Sequence, residues 1–212
     1  MSSLDTAQVV TRVGPALSAD GSLTTPRATK ESAFVIQNLH GQYYEQAARG
    51  NLYMARAIVT APVIFTTAAG TGGPLLWNPP GSGINASILA VSWGTSVVTT
   101  VAAVLGLTGG TGQTAAPTST TAIDSITNCL IGGGSPACST FRVGTTVAAG
   151  TFLMPFGDLH TGALTVDNNG VHWVDIGGLM IVPPGAWCSI SASATATTTV
   201  GNFGMVWEEV RQ

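Results

Sequence analysis

Between residues 51 and 108 the chain is written in short apolar runs, rich in β-branched residues and broken by Gly and Pro, with no charged residue after Arg56. That pattern predicts strands that turn back and stack. One long strand, or two with a break at Pro62, is expected over 51–67, then a loop over 68–74. Further strands are expected over 84–93 and 96–107. Residues 140–154 alternate, with Phe141, Val143, Thr145 and Val147 on one side and Arg142, Gly144 and Thr146 on the other, as in a half-buried strand. Pro155 and Gly157 then mark a turn. A hairpin is expected around Asn169–Gly170, where positive φ suits the turn, with Val166 and Val171 flanking it. A short strand over 178–182 follows. Over 186–200, Cys188, Ile190, Ala192, Ala194 and Ala196 mark one face and Ser and Thr the other. The closing strand carries Phe203, Met205 and Trp207 on one side, with Glu208 and Glu209 ending the domain. Tyr43 to Arg49 fits two helical turns closed by Gly50, or extended structure, since Tyr is common in strands.

One phrase recurs. PLLWNPPGSGINASIL and GLMIVPPGAWCSISAS place Pro79, Pro80 and Gly81 where Pro183, Pro184 and Gly185 stand in the second copy. Leu75 and Leu76 match Leu179 and Met180. Proline sets φ and the following glycine tolerates φ > 0, so both are turns. Two equivalent hairpins in two halves of a sandwich, or two unrelated uses of a common turn, both account for the repeat.

Eight to ten strands, mostly antiparallel, predict an all-β antiparallel β-sandwich of jelly-roll type. The sandwich is expected over 31–212, with an extended N-terminal arm over 1–30 interrupted by Gly14, Pro15, Gly21 and Pro26. The region 108–139, low in core-forming residues, predicts a long excursion from the sandwich. Arm and excursion are the expected intersubunit contacts.

Composition sharpens this. Only 8% of the 212 residues are charged, against about 25% in ordinary soluble proteins. Five Trp and six Phe require burial, so the chain is not disordered. A surface so poor in charge is expected to be neutral and polar, or covered by other subunits. The net charge of −3 comes with seven scattered Lys and Arg and no basic block, which speaks against nucleic-acid binding. No apolar run is long enough for a membrane-spanning helix. MSSLDTAQ lacks the basic flank and apolar core of a secretory signal, so synthesis in the cytoplasm is expected. Cys129 and Cys138 bracket LIGGGSPA at a spacing that permits a bridge, while the odd count of three favours free thiols. Cys188 reads as a small buried hydrophobe.

Candidate chemistry is sparse. The glycine-rich stretches at 70–73 and 109–112 give neither GxxxxGK(S/T) nor a strand–glycine loop–helix with a following acid, and read as loops. His40, His160 and His172 are dispersed. Asp158, His160, His172 and Asp175 meet only if the chain folds over on itself, and no spacing demands a metal. Asp167 and Asp175 are the one conceivable carboxylate pair, and acidic residues at a turn are usually turn formers. No nucleophile elbow is present. No catalytic, cofactor-binding or metal residue is therefore assigned, and no enzyme is expected. Trp77, Trp93, Trp173 and Trp187 are candidates for stacking on sugars, each set against burial in the core.

HGQYYEQAARGNLYMAR, with Gly41, Tyr43, Glu45 and Gly50, resembles a segment near the start of tailed-bacteriophage virion proteins of β-sandwich type. LLWNPPGSGINASIL and the closing PPGAWCSISAS and VWEEV are similar to turns and strands of the same proteins. The likeness spans roughly 40–90 and 178–210 and rests on structural turns, so no catalytic residue is carried over. It implies a non-enzymatic virion component made in the bacterial cytoplasm: a capsid decoration or cement protein, or a neck or tail component. The major capsid protein or other virion proteins would be its partners, and the chain itself a homo-oligomer, a trimer or other ring. A fibre-associated module binding glycans or the host surface is the alternative.

Overall fold

The computed structural model describes residues 41–59, 63–64, 73–95, 102–117, 126–143, 147, 150–159, 171–193 and 201–212. The chain divides into two compact units, Met1–Tyr44 and Glu45–Gln212. The expected arm, the first limb of the Asn169–Gly170 hairpin and His160 lie outside the described residues.

A short helix, α1 (Tyr44–Ala48), opens the described chain. Glu45 in its first turn suits the positive end of the helix dipole. Gly50 ends it at φ 72°, a left-handed conformation that costs glycine little. Eleven strands follow: β1 (Leu52–Val59), β2 (Val63–Ile64), β3 (Leu75–Trp77), β4 (Ile84–Thr95), β5 (Ala103–Gly110), β6 (Thr127–Asn128), β7 (Thr140–Arg142), β8 (Thr151–Leu159), β9 (His172–Val182), β10 (Trp187–Ala192) and β11 (Gly201–Arg211). Sheet I runs β6-β1-β11-β4-β9; sheet II runs β7-β3-β10-β5-β8, with β2 beside β10. Every pairing is antiparallel except β2 with β10. Together they form an all-β sandwich.

The pairing is nested. β1 pairs with β11, β3 with β10, β4 with β9 and β5 with β8, so the chain forms one long antiparallel ribbon doubled back on itself. The ribbon is then rolled until β11 meets β4 and β10 meets β5.

Nesting explains the repeated phrase and corrects its hairpin reading. Pro79–Gly81 carries the chain from β3 in sheet II to β4 in sheet I, and Pro183–Gly185 carries it from β9 back to β10. Each turn is a corner between sheets. Because β3 pairs with β10 and β4 with β9, the corners lie side by side: Asn78 N–H donates to the Ala186 carbonyl at 3.0 Å and Gly185 N–H to the Asn78 carbonyl at 2.8 Å. Gly81 and Gly185 take φ of 78° and 79°, the shared requirement of both corners.

The core between the sheets holds Tyr53, Ala55 and Ala57 of β1, Phe203, Met205 and Trp207 of β11, alternate residues of β4, and Leu105, Leu107, Cys188 and Ile190 from sheet II. β4 changes phase at a bulge between Ile88 and Ala90, so Ile88 and Val91 both face inward. β11 keeps the expected face, with Phe203, Met205 and Trp207 fully buried.

Other expectations are corrected. Residues 140–154 are not one strand: β7 pairs with β3 and β8 with β5, on opposite edges of sheet II. β8 continues through Pro155 and Gly157, which an edge strand tolerates because its outer side lacks a ladder partner, and its register slips there. The strand expected over 96–107 is β5, which runs on to Gly110 and takes in part of the glycine-rich stretch. The short strand expected over 178–182 is the end of β9. In β10 the Ser face is buried too: Ser189 and Ser191 lie beneath a second apolar cluster of Leu75, Trp77, Val147 and Trp187 on the outer side of sheet II.

The excursion after β5 contributes β6 to the edge of sheet I and β7 to the edge of sheet II. It covers the β1 and β3 edges that would otherwise present unpaired backbone.

Candidate functional site

The two outer faces of the sandwich differ. That of sheet II carries the buried cluster just described, with Val104 and Phe152 exposed beyond it. Gly150 lies so close that a Cβ there would meet the Trp187 ring at 2.4 Å. That of sheet I has no such cluster among the described residues. β1 presents Met54, Arg56 and Ile58; β11 presents Asn202, Gly204, Val206, Glu208 and Val210; β4 presents Asn85, Ser87, Ser92 and Gly94; and Trp173, Asp175, Leu179 and Ile181 come from β9. Ile58, Trp173, Leu179 and Ile181 are 60%, 62%, 80% and 60% exposed. The outer face of a solvated antiparallel sheet is normally polar; here these four exposed apolar side chains stand among Asn85, Ser87, Ser92 and Asn202.

Three charged side chains stand on these strand positions: Arg56, Glu208 and Asp175. Burial pushes the Glu208 carboxyl above the usual carboxylate range. The Asp175 carboxylate accepts from Gly177 N–H at 2.8 Å and so belongs to its own turn. That turn lies in a wide irregularity where Gly177 and Gly178 take φ of 61° and 80°, lifting Leu179 outward. Beside it, a groove of about 300 Å³ runs between the ends of β8, β9 and β5, lined by Leu153, Met180, Ile181 and Trp187 among others.

The residues singled out from sequence fall as follows. Trp77, Trp93 and Trp187 are buried, and Trp173 alone of the four is exposed. His172 stacks on Trp93, with ring centroids 4.7 Å apart, rather than facing an acid. Asp158 lies on β8 opposite Val104 and Asp175 on β9 opposite Ala90, in different sheets. Among the described residues no group of three or more His, Cys, Asp or Glu is placed to hold a metal. Gly109 and Gly110 are strand residues packed against Leu153 and Trp187.

Two buried polar devices escaped the sequence. Asn78 is fully buried and donates through Nδ2 to the Ile84 carbonyl at 2.8 Å and the Val182 carbonyl at 2.9 Å, tying both corners together. Glu209, read as the end of the domain, is buried. Its carboxylate accepts from Cys138 N–H and Ser139 N–H, both at 2.9 Å, and from the Ser139 hydroxyl at 2.5 Å. It holds the excursion onto β11. The signal for Glu209 was present, since it continues the inward series Phe203, Met205, Trp207. Nothing local marks Asn78.

All three cysteines are free thiols, Cys138 exposed, Cys129 half-buried and Cys188 buried. Burial pushes the Cys188 thiol up to about 12 from an ordinary 9.0. The neutral thiol is the form the core accepts, so its stabilising effect is complete below about pH 9 and is lost as pH rises toward 12. A thiol reagent should therefore modify Cys138 first, Cys129 more slowly and Cys188 only on unfolding. Alkaline loss of stability should be shallower in Cys188→Ala than in the parent. Fast native-state labelling of Cys188 would contradict this.

No protein-family model, curated protein or solved structure matches this chain.

Proposed function

We propose that the protein is a non-enzymatic structural component of a tailed-phage particle, a capsid decoration or cement protein that braces the head through contacts between subunits. The observation that carries this reading is the outer face of sheet I, where Ile58, Trp173, Leu179 and Ile181 stand exposed on an otherwise well-packed sandwich. Such a face is costly in an isolated monomer and useful in an assembly. The nested strand order supports a finer description as a jelly roll, an architecture used by viral capsid domains among others. The resemblance of the 40–56 and 75–89 phrases to phage virion proteins points the same way. On this reading the partners are the major capsid protein or other virion proteins, and the chain acts as a homo-oligomer, so that symmetry multiplies weak contacts. Residues 1–30 serve as an arm and residues 108–139 as a bridge to neighbours. Binding to the assembled shell and not to its free subunits would stabilise the shell by mass action.

The test is direct. Gradient-purified particles should contain peptides of this chain, with antibody label on the heads. Removal of residues 1–25 should leave the melting temperature near that of the parent and reduce occupancy on particles. Absence from particles would refute the virion role, and label on the neck, tail or fibre would move the protein there. A second reading, a glycan- or host-surface-binding module, draws on the exposure of Trp173. It requires binding on a glycan array that Trp173→Ala abolishes.

A further inference from the structure

We propose that a second copy of this chain covers the outer face of sheet I, packing face to face about a two-fold axis that runs parallel to the strands between β11 and β4. The ladder registers place Arg56 of β1, Gly204 of β11, Ser92 of β4 and Trp173 of β9 in one row across the face. A two-fold axis along the strands lays β1 of one copy over β9 of the other, and β11 over β4. Arg56 then faces Trp173 of the second copy at one end of the row, and Trp173 faces Arg56 at the other. A guanidinium over an indole is the strongest pairing these side chains can make. An axis across the strands would leave each at its own end, too far apart to meet.

Most of the face agrees; at the ends of one row Met54 meets the Asp175 carboxylate, which its own Gly177 N–H already holds. At the centre of the Arg56 row Gly204 meets Ser92 of the second copy, two small residues that let the sheets approach. In the next row, Met54–Val206–Ala90–Asp175, Val206 meets Ala90. In the row of Glu208 and Ser87, the carboxylate meets a hydroxyl that can donate to it. No charged side chain is set against its own copy. Aligned sheets cross at about 30°, which displaces the row ends by roughly one residue, within reach of an arginine side chain. Four strands about 4.8 Å apart and roughly 30 Å long give about 600 Å² of flat area per copy before side-chain relief. A standard interface needs roughly 800 Å² per partner. On the outer face of sheet II, Leu75, Trp77, Val147 and Trp187 are already buried against one another.

This pairing uses the same face as the virion reading, but its test is separate, because it is measured in solution without particles. Sedimentation equilibrium and native mass spectrometry of the full chain should show a dimer. Arg56 and Trp173 are exposed, so Arg56→Ala and Trp173→Ala should keep the parent's circular dichroism and melting curve. Each should weaken the dimer roughly tenfold to thirtyfold, since symmetry removes two contacts at once. Arg56→Lys, which keeps the cation, should recover part of the loss. The deciding measurement mixes the two alanine variants. Each homodimer has lost both cross contacts, while the mixed dimer keeps one intact, so the mixed species should exceed its statistical share. A monomer at the highest concentrations reached, a trimer or ring, a dimer indifferent to both substitutions, or a purely statistical mixture would each overturn the proposal.

Discussion

Replacing Trp207 with alanine is expected to lower the unfolding free energy by about 3–5 kcal/mol, the range for removing a buried large aromatic. Trp207 is fully buried on β11, the central strand of sheet I. Its ring stacks on Tyr53 of β1, with centroids 6.1 Å apart, and on Phe141 of β7, 6.3 Å apart. It therefore bridges both sheets at the end where the excursion returns. The next inward residue on the same strand, Glu209, grips the backbone at Cys138 and Ser139, immediately before β7. A cavity at Trp207 should loosen Phe141 and, with it, the strip that covers the β3 edge. Urea unfolding of Trp207→Ala against Trp207→Phe checks this. The phenylalanine variant should lose distinctly less, because its ring still fills part of the site. Equal losses, or a loss below about 1.5 kcal/mol for alanine, would mean the site collapses around the deletion and the stack is not the keystone.

Replacing Asn78 with aspartate is expected to be comparably severe at neutral pH, about 3–5 kcal/mol, the cost of an uncompensated buried charge. The Asn78 amide donates to two carbonyls, Ile84 and Val182, one beyond each corner of the repeated phrase. A carboxylate can donate to neither, and its charge would face both carbonyl dipoles in a fully buried site. The pH dependence has a definite sign. Burial raises the folded-state pKa of such an aspartate above its unfolded value near 4, so the deficit is smallest below about pH 4 and deepens as pH rises through the folded value. Thermal melts of Asn78→Asp from acid to neutral pH, normalised to the parent, should show a widening gap. Asn78→Leu, of similar size and without charge, should show a loss that does not vary with pH. A flat difference for aspartate would mean that the site admits water.

The class of fold was legible because strand formation is local. Alternation along Phe203, Met205 and Trp207, the apolar runs of β4 and β10, and the glycine at the end of α1 carry their meaning within a few residues. Where local signals misled, a long-range partner had changed their meaning. Pro155 and Gly157 announce a turn, yet the β8 edge of sheet II absorbs both with slips in register. The serines of β10 mark a polar face of modest packing depth, yet Ser189 and Ser191 are buried, beside the cluster of Trp77 and Trp187. The two corner phrases were visible as a repeat. That they touch was not visible, because contact follows from β3 pairing with β10 and β4 with β9, segments far apart in the chain.

The exposed face of sheet I follows the same division. The amino-acid sequence by itself determined that charge is scarce and that strands dominate, since these depend only on composition and period. Which apolar side chains stand exposed together was decided by tertiary structure. Met54, Arg56 and Ile58 share a face with Trp173 only because β11 and β4 intervene between them in sheet I, and Trp77 and Trp187 are hidden because they cluster with Leu75 and Val147. Period two tells a side chain which neighbours share its face along one strand; which strands lie beside it, and what covers them, is set by hydrogen-bond partners far away in the chain.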